Sequence, residues 1–279
     1  MKITFIGGGN MATALIGGML KQGFVAAQID VIEPFESART RLVEHFGISC
    51  TAAPSAALGA TDVIVMAVKP QSMREAALAL APYLGQAPSP PPLVVSIAAG
   101  TRIADLARWL GRNGQPHGAI VRCMPNTPAL VGLGITGMCA AAAVDAEQRG
   151  TAERILRAVG EVVWVSDEAL IDPVTAVSGS GPAYVFYFLE AMIEAGIKLG
   201  LPAADAKRLA IATFTGAARL AADSADDLAT LRAKVTSKGG TTEAALKTMI
   251  ERQVKEAIGS AIEAASARGK ALGETLGDN

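Results

Sequence analysis

The sequence predicts an α/β fold in two parts, a doubly wound sheet over residues 1–165 and an all-helical region over residues 166–279. Three observations support this division. Short apolar runs alternate with helical patterns as far as Val165, no strand pattern follows, and helical segments fill the rest of the chain. Apolar residues make up 51% of the chain against 18% charged residues, which is enough for a buried core.

Eight strand candidates occur in the N-terminal part. Several are continuously apolar, as strands buried on both faces of a parallel sheet tend to be. In chain order they read ITFIG, DVIE, ISC, DVIVMAV, LVVSIAA, AIVRCM, ITGMCAA and EVVWV. Helical patterns separate the early strands. A proline-rich stretch at 86–92, QAPSPPP, is predicted to be a stiff surface loop.

The helical region is predicted to contain four helices. They cover Pro182–Leu199, Ala203–Ala222, Asp226–Val235 and Thr242–Ala267, and Gly200-Leu201-Pro202 marks one clear break. Alanine-rich helices such as these bury only a thin apolar face when they are alone. Packing against a second copy would bury more, so we expect a homodimer built on this region.

The charge balance and the cysteines exclude several classes of protein. Lys and Arg total 25 against 26 for Asp and Glu, with no basic run, so the sequence predicts no nucleic-acid partner. The cysteines Cys50, Cys123 and Cys139 form neither a disulfide framework nor a metal-ligand spacing. We therefore expect no metal site and a reducing, cytoplasmic location.

Two uncharged stretches imitate a signal peptide or a membrane span. Residues Ile3–Leu20 carry no charge, but three glycines and Asn10 interrupt them where an apolar segment should be densest. The stretch Cys123–Val144 is broken in the same way by two prolines and Asn126. The sequence therefore predicts no membrane association.

The segment FIGGGNMA follows the first strand and opens the first helix, so it fits a dinucleotide-binding loop. Gly7 permits a tight turn, Gly9 lets the backbone approach a pyrophosphate, and Ala12 lets the helix pack closely on the strand. The N-terminal part is therefore predicted to be a Rossmann-type domain. The expected cofactor contacts in this loop are Gly7, Gly8, Gly9, Asn10 and Met11.

Glu33 ends the second strand, 21 residues past Ala12, where an acidic side chain binds the ribose hydroxyls of NAD. It also fits a solvated position in the turn before Pro34. Arg39 and Arg41 follow closely and are placed to reach a 2′-phosphate instead. The sequence therefore predicts NADPH or NADH as the cofactor without choosing between them.

The turns after the fourth and fifth strands should also face the cofactor, because ligands of open parallel sheets bind beyond the carboxyl ends of the strands. Lys69 suits either a contact with the ribose or nicotinamide, or a solvated strand end. The expected contacts in these turns are Ala67, Val68, Lys69, Pro70, Ala98 and Ala99.

Few other residues suggest chemistry. His45 and His117 lie in segments without a catalytic motif, and Cys123 is expected to pack rather than react, since nothing nearby would lower its pKa. Residues 126–127 could line the cofactor cleft. The segment Ser178–Tyr184 suits a domain junction as well as a substrate contact.

Six segments occur in the order seen in pyrroline-5-carboxylate reductases, and the chain resembles that family from Ile3 to about Arg268. The segments are FIGGGNMA, AVKP, SIAAG, RCMPNTPALVGLG, DPVTAVSGSGPAYVF and VTSKGGTTEAAL. The resemblance implies a Rossmann domain followed by a helical dimerisation domain. It also implies reduction of 1-pyrroline-5-carboxylate to L-proline with NAD(P)H, usually NADPH, by dimers that commonly assemble as pentamers of dimers. Glu33 departs from this preference, since a carboxylate would repel a 2′-phosphate.

The resemblance implies that the segment around the second pair of glycines binds the substrate. Its residues are Ser237, Gly239, Gly240, Thr241 and Thr242. Backbone N–H groups of the last three, at the positive end of a helix, would hold the substrate carboxylate without a charged side chain. The family also points to the Thr242 hydroxyl as the catalytic group, orienting the imine nitrogen or relaying a proton from water. Without the resemblance, a glycine turn with a Thr helix cap is the simpler interpretation.

Two other functions fit parts of the sequence. A related dehydrogenase acting on a β-hydroxyacid would use a lysine of the helical region as acid and base, and Lys198, Lys207, Lys234 and Lys238 are available. None of these lysines sits in the pattern of that family. A non-catalytic sensor of the nicotinamide redox state would keep the first loop, but it would not need the second.

Overall fold

The computed structural model describes residues 1–84 and 91–277. They form two compact units, one of Met1–Ser180 with residues 264–277 and the other of Gly181–Glu263. The contacts therefore group residues 166–180 with the sheet. The predicted domain boundary after residue 165 stays a prediction. Residues 86–90 of the predicted proline-rich loop lie outside the described residues.

All eight predicted strands are present in one sheet, which confirms the α/β fold. Strands β1–β8 cover Ile3–Ile6, Ile29–Ile32, Ser49–Thr51, Val63–Met66, Leu93–Ser96, Ile120–Met124, Gly134–Ala140 and Gly160–Trp164. Their order is β3-β2-β1-β4-β5-β6-β7-β8, and β1–β6 run parallel. The strand order reverses between β1 and β4, so the crevice that binds ligands in such sheets lies at their carboxyl ends.

The last two strands run in the opposite direction to the first six. Strand β7 pairs antiparallel with β6, and β8 pairs parallel with β7. Residues 125–133 join β6 to β7 through a 3₁₀ turn at Thr127–Val131 instead of an α-helical crossover. A short return of this kind produces an antiparallel pair. The apolar pattern does not reveal this reversal, because a buried run reads the same in either direction.

Helices cover both faces of the sheet. Helices α1–α6 cover Asn10–Lys21, Glu36–Phe46, Met73–Leu84, Ile103–Leu110, Ala146–Leu156 and Ile171–Val174. Phe5 and Val65 pack in one core with α1 and α5, whereas Met66 packs in a second core with α3 and α4. Because successive strand residues point to opposite faces, β1, β2, β4, β5 and β6 each contribute to both cores. This doubly wound packing fixes the strand ends that carry the site.

The second unit is helical, as predicted, with one correction. Helices α7–α10 cover Gly181–Lys198, Ala203–Asp223, Leu228–Lys234 and Thr241–Glu251, and α11, Val254–Gly277, begins in this unit and continues into residues grouped with the first. The single helix predicted over Thr242–Ala267 is wrong, because it breaks between α10 and α11. Gln253 has φ +53° there, a left-handed conformation that ends a helix. The sequence at the break contains neither Gly nor Pro, so it gave no signal.

The two uncharged stretches adopt ordinary elements of the first unit. Residues 3–20 form β1, the glycine turn and most of α1, and residues 123–144 contain the end of β6, a turn and β7. Within the part of the chain that the structure describes, no helix is long and apolar enough to cross a membrane.

Candidate active site

The first glycine loop lies at the switch point of the sheet. Gly7 follows β1 with φ +97°, and its N–H donates to the carbonyl of Ile32 at 2.8 Å. A Cβ atom at Gly7 would lie 2.8 Å from the carbonyl oxygen of Ala67, because the end of β4 passes directly beside the turn. Both the conformation and the space therefore require glycine at this position.

The start of α1 is open. Gly9 is the N-cap residue with extended backbone, and no side chain of the described residues caps the helix. A Cβ atom at Gly9 would meet no other atom of the described residues within 4 Å. Free N–H groups and the positive end of the helix dipole thus face unfilled space. The predicted contacts Gly7, Gly8, Gly9, Asn10 and Met11 surround this point, which fits a pyrophosphate.

Glu33 is buried beside the glycine loop, with 7% of its surface exposed. Its Oε2 accepts the N–H of Gly8 at 2.8 Å, and its Oε1 accepts the N–H of Phe35 at 3.0 Å. The structure therefore excludes the solvated alternative. Arg39 does not pair with this carboxylate; its Nη1 donates to the carbonyls of Glu33 and Pro34 at 2.8 and 2.7 Å.

The predicted contacts after β4 and β5 lie at the same edge of the sheet. Ala67 donates its N–H to Ile6 O at 2.8 Å, which places it against the glycine turn. Lys69 is exposed, and its backbone leads into a 3₁₀ turn that begins at Pro70. Ala98 is buried in the core, whereas Ala99 is half-buried. The side chain of Ala98 therefore faces the core.

The second glycine loop begins a helix in the second unit. Gly239 has φ +70°, Gly240 is the N-cap residue of α10, and no side chain of the described residues caps that helix. Ser237 and Thr241 are exposed, whereas Thr242 is half-buried. The loop therefore forms an open helix start, the geometry that accepts a carboxylate.

The donors of this second loop differ from those predicted. The N–H of Gly240 is already used, because it donates to the carbonyl of Ser237 at 3.0 Å. No acceptor among the described residues is in place for the N–H groups of Thr241 and Thr242. The prediction that three N–H groups are available to the substrate carboxylate is thus wrong for Gly240. The N–H groups of Thr241 and Thr242 remain available.

Glu243, which is not among the residues predicted from the sequence, holds the second loop in shape. Its Oε2 accepts the N–H of Gly239 at 2.7 Å. An acidic residue in the first turn is a sequence signal of a helix start, and here its bond reaches Gly239, one residue before the cap residue Gly240. The sequence contains this signal at Gly240-Thr241-Thr242-Glu243.

A buried charge network in the first unit was also not predicted from the sequence. Arg122 is 4% exposed, and its Nη1 donates to Oε1 of Glu168 at 2.9 Å. The same Glu168 oxygen accepts the N–H of Ile103 at 2.7 Å, and Asp172 lies 3.7 Å from Nη2 of Arg122. The network ties β6 to the starts of α4 and α6. An arginine inside an apolar strand was the available signal, since a buried charge needs partners.

Asn126 also has a structural function. Its Oδ1 accepts the N–H of Ile135 at 3.0 Å, and its Nδ2 donates to the carbonyl of Ser178 at 3.3 Å. It therefore links β7 to a single π-helical turn at Thr175–Gly179. The side-chain amide is used within the protein rather than aimed at a cleft.

Within residues 1–84 and 91–277, no catalytic partner lies beside either histidine or Cys123. His45 is exposed and stacks edge-on against Phe46, and His117 is buried with Nε2 3.0 Å from the carbonyl of Pro92. Burial lowers the pKa of His117, while burial raises the pKa of the Cys123 thiol far above its usual range. A thiol in that state packs and does not react at neutral pH.

Comparisons with known proteins agree with this division of the chain. Residues 168–272 match a family model described as pyrroline-5-carboxylate reductase dimerisation. Residues 2–100 match one described as NADP oxidoreductase, coenzyme F420-dependent. The first match contains the second glycine loop, and the second contains the first loop, Glu33 and the turns after β4 and β5.

Relatives are similar over nearly the whole length. A pyrroline-5-carboxylate reductase of Pseudomonas aeruginosa is 49% identical over 247 residues, 88% of each chain. The solved structure of a pyrroline-5-carboxylate reductase from Coxiella burnetii has a TM-score of 0.89 at 39% identity, covering 97% of this chain and 98% of that one. A Plasmodium falciparum pyrroline carboxylate reductase with NADP bound has a TM-score of 0.83 at 29% identity, covering 98% of both chains.

Proposed function

This chain belongs to the pyrroline-5-carboxylate reductase family, and we propose from its two glycine loops how it carries out that reaction. It is an oxidoreductase that reduces 1-pyrroline-5-carboxylate to L-proline with NAD(P)H, the last step of proline biosynthesis. The single observation that carries the assignment is the near-full-length match to relatives of that name, with both loops present.

The cofactor site is the first loop with its neighbouring turns. The open start of α1 binds the pyrophosphate, and Glu33, Ala67, Val68, Lys69, Pro70, Ala98 and Ala99 lie along the same edge of the sheet. When bound, the nicotinamide supplies the hydride. The residues of this site orient the dinucleotide. The unfilled space next to Gly9 supports placing the pyrophosphate there.

The substrate site is the second loop. Its N–H groups at Thr241 and Thr242 bind the substrate carboxylate, and the bond from Gly239 to Glu243 keeps them in position. Ser237 and Gly240 shape the turn through their own hydrogen bond. Backbone donors suit this substrate, because a buried cationic side chain would oppose the positive charge on the protonated imine.

Thr242 is proposed as the residue that orients the imine nitrogen. Its side chain is half-buried, unlike that of its exposed neighbour Thr241. A Thr hydroxyl is a weak acid, so the proton comes from water and the hydroxyl relays or positions it. Most of the rate then comes from holding the reacting carbons close together, not from strong acid catalysis.

The protein forms a homo-oligomer through its dimerisation region. In the single chain, apolar side chains of the second unit are exposed, including Tyr187 at 74% and Ile250 at 75%. A second copy would cover such a surface. We propose a homodimer that assembles further as a pentamer of dimers, located in the cytoplasm, where the three free cysteines stay reduced. Light scattering after size exclusion measures the assembly.

Steady-state reduction of 1-pyrroline-5-carboxylate, with NADH and NADPH in parallel, tests the function. Oxidation of either cofactor with formation of L-proline is the expected result. Turnover of a β-hydroxyacid instead would favour the dehydrogenase alternative. Binding of a cofactor without turnover of any substrate would favour the sensor, and either result would remove the substrate assignment.

A further inference from the structure

We propose that Glu33 selects NADH over NADPH in this enzyme. The inference rests on the proposed function of the first glycine loop as the dinucleotide site. It concerns the adenosine ribose, the part of the cofactor in which the two forms differ, because NADPH carries a phosphate on the 2′-hydroxyl.

The position of Glu33 is that of a ribose contact. Strands β1 and β2 are parallel, and Ile6 pairs with Ile32. The residue that follows each strand, Gly7 or Glu33, therefore lies at the carboxyl end of the sheet. The N–H of Gly8, the middle residue of the loop, binds its carboxylate directly at 2.8 Å. A dinucleotide held at the start of α1 therefore places its adenosine ribose beside this carboxylate.

The carboxylate is held in place and cannot easily move aside. Each of its oxygens accepts one backbone N–H, from Gly8 and from Phe35, and only 7% of the residue is exposed. Moving it would leave the buried N–H of Gly8 without its acceptor, which is unfavourable. Each oxygen keeps a second lone pair, which suits the two hydroxyls of an unmodified ribose.

A 2′-phosphate would meet this fixed negative charge. Repulsion between like charges is strong at a buried site, because little water screens it. Arg39 lies at this turn, where its Nη1 donates to the carbonyls of Glu33 and Pro34 at 2.8 and 2.7 Å. Arg41 is exposed on α2. The charges around the turn therefore favour a ribose that carries hydroxyls only.

Direct binding measurements test the proposal. Titration calorimetry gives the Kd values of NAD⁺ and NADP⁺ for the full-length protein, and we expect NAD⁺ to bind at least tenfold more tightly. Glu33→Gln removes the charge, and it should reduce this ratio at least tenfold, mainly by improving NADP⁺ binding. Glu33→Asp keeps the charge and should retain the preference for NAD⁺.

Glu36→Gln is the matched control, since it removes the same charge from an exposed residue at the start of α2. It should leave the ratio unchanged. Thermal unfolding of each variant checks that the protein is still folded and similarly stable. Arg39→Gln tests the competing interpretation, because a selective loss of NADP⁺ binding would show that Arg39 grips the 2′-phosphate.

The outcomes separate this inference from the proposed function. Tighter binding of NADP⁺ by the wild-type protein, or an equal loss of both cofactors in Glu33→Gln, would overturn the role of Glu33 alone. Turnover of 1-pyrroline-5-carboxylate would still support the enzyme assignment in that case. Failure to bind either dinucleotide would overturn both.

Discussion

The loop at Gly7–Gly9 and the loop at Gly239–Gly240 both lead into helices that no side chain in the described part of the chain caps, yet their surroundings differ. A Cβ atom at Gly7 would meet the backbone of Ala67, whereas one at Gly239 would meet no atom of residues 1–84 and 91–277 within 4 Å. Gly8 likewise lies against Leu42, which would be 2.6 Å from an added Cβ. The first loop is shaped by packing around it, and the second by its own backbone and the bond from Glu243.

This difference shows that similar glycine motifs can be required for different physical reasons. The first loop is built into a sheet whose strands are fixed by two buried cores, so a change there disturbs the fold. The second loop lies at the surface of its unit, where α10 has no buried residue. Changes in the second loop should therefore affect substrate binding and turnover more than stability.

Gly7→Ala should give the largest effect. It combines a positive φ with a close backbone contact, so we expect about 3 kcal/mol or more of lost stability, from strain and overpacking together. Urea unfolding measures this loss. Gly9→Ala is the control, because its Cβ has open space and its φ is −71°.

Gly9→Ala should unfold within about 1 kcal/mol of the wild type. It should nevertheless weaken dinucleotide binding, because the added methyl group fills the space for the pyrophosphate. Equal stability of the Gly7 and Gly9 variants would contradict the packing explanation of the first loop.

Thr242→Ala should give the next largest effect, on turnover alone. Loss of a hydrogen bond worth about 1.5 kcal/mol lowers kcat by roughly tenfold. The Kd of the cofactor and the unfolding free energy should change little. Thr248→Ala removes the same groups from an exposed position of the same helix and should leave kcat unchanged. Unchanged turnover in Thr242→Ala would remove this residue from the mechanism.

Gly239→Ala should have a smaller effect. Its left-handed backbone costs alanine about 1 kcal/mol, with no steric clash to add. We expect a raised KM for 1-pyrroline-5-carboxylate and a small loss of stability. Gly239→Asn should behave like the wild type, since Asn tolerates this conformation better. A large loss of stability in both variants would mean that neighbouring residues pack against Gly239, which would contradict the absence of a steric clash.

The smallest effect should be a change in the free energy of unfolding with pH. It should arise from His117, which lies in the sheet-containing unit. Burial lowers the pKa of His117 in the folded protein, so the unfolded chain binds a proton more readily. Stability should therefore fall as the pH drops below about 6.5, the ordinary pKa of histidine. Urea unfolding at pH 7.5 and 5.5 measures the change. His117→Asn should make that change smaller, and an undiminished change would assign it to other groups.

The strands were predictable because burial on both faces leaves a continuous apolar run in the sequence. Gly7 and Gly9 were predictable because a dinucleotide loop needs glycines at a fixed spacing after a strand. The direction of β7 was not, since an apolar run carries no direction. The break at Gln253 was not predictable either, because a non-glycine residue in a left-handed conformation leaves no local pattern.

The sequence by itself determined the sheet with its glycine loop, the helical second half and the resemblance that identifies the family. Periodicity and motif spacing are local properties, and the order of residues carries them. Only the tertiary structure decided that Glu33 is held by Gly8, that Arg122 joins Glu168, and that the N–H of Gly240 is already used. These partners depend on which segments meet in space, because hydrogen bonds and repulsion act over a few ångströms regardless of separation along the chain.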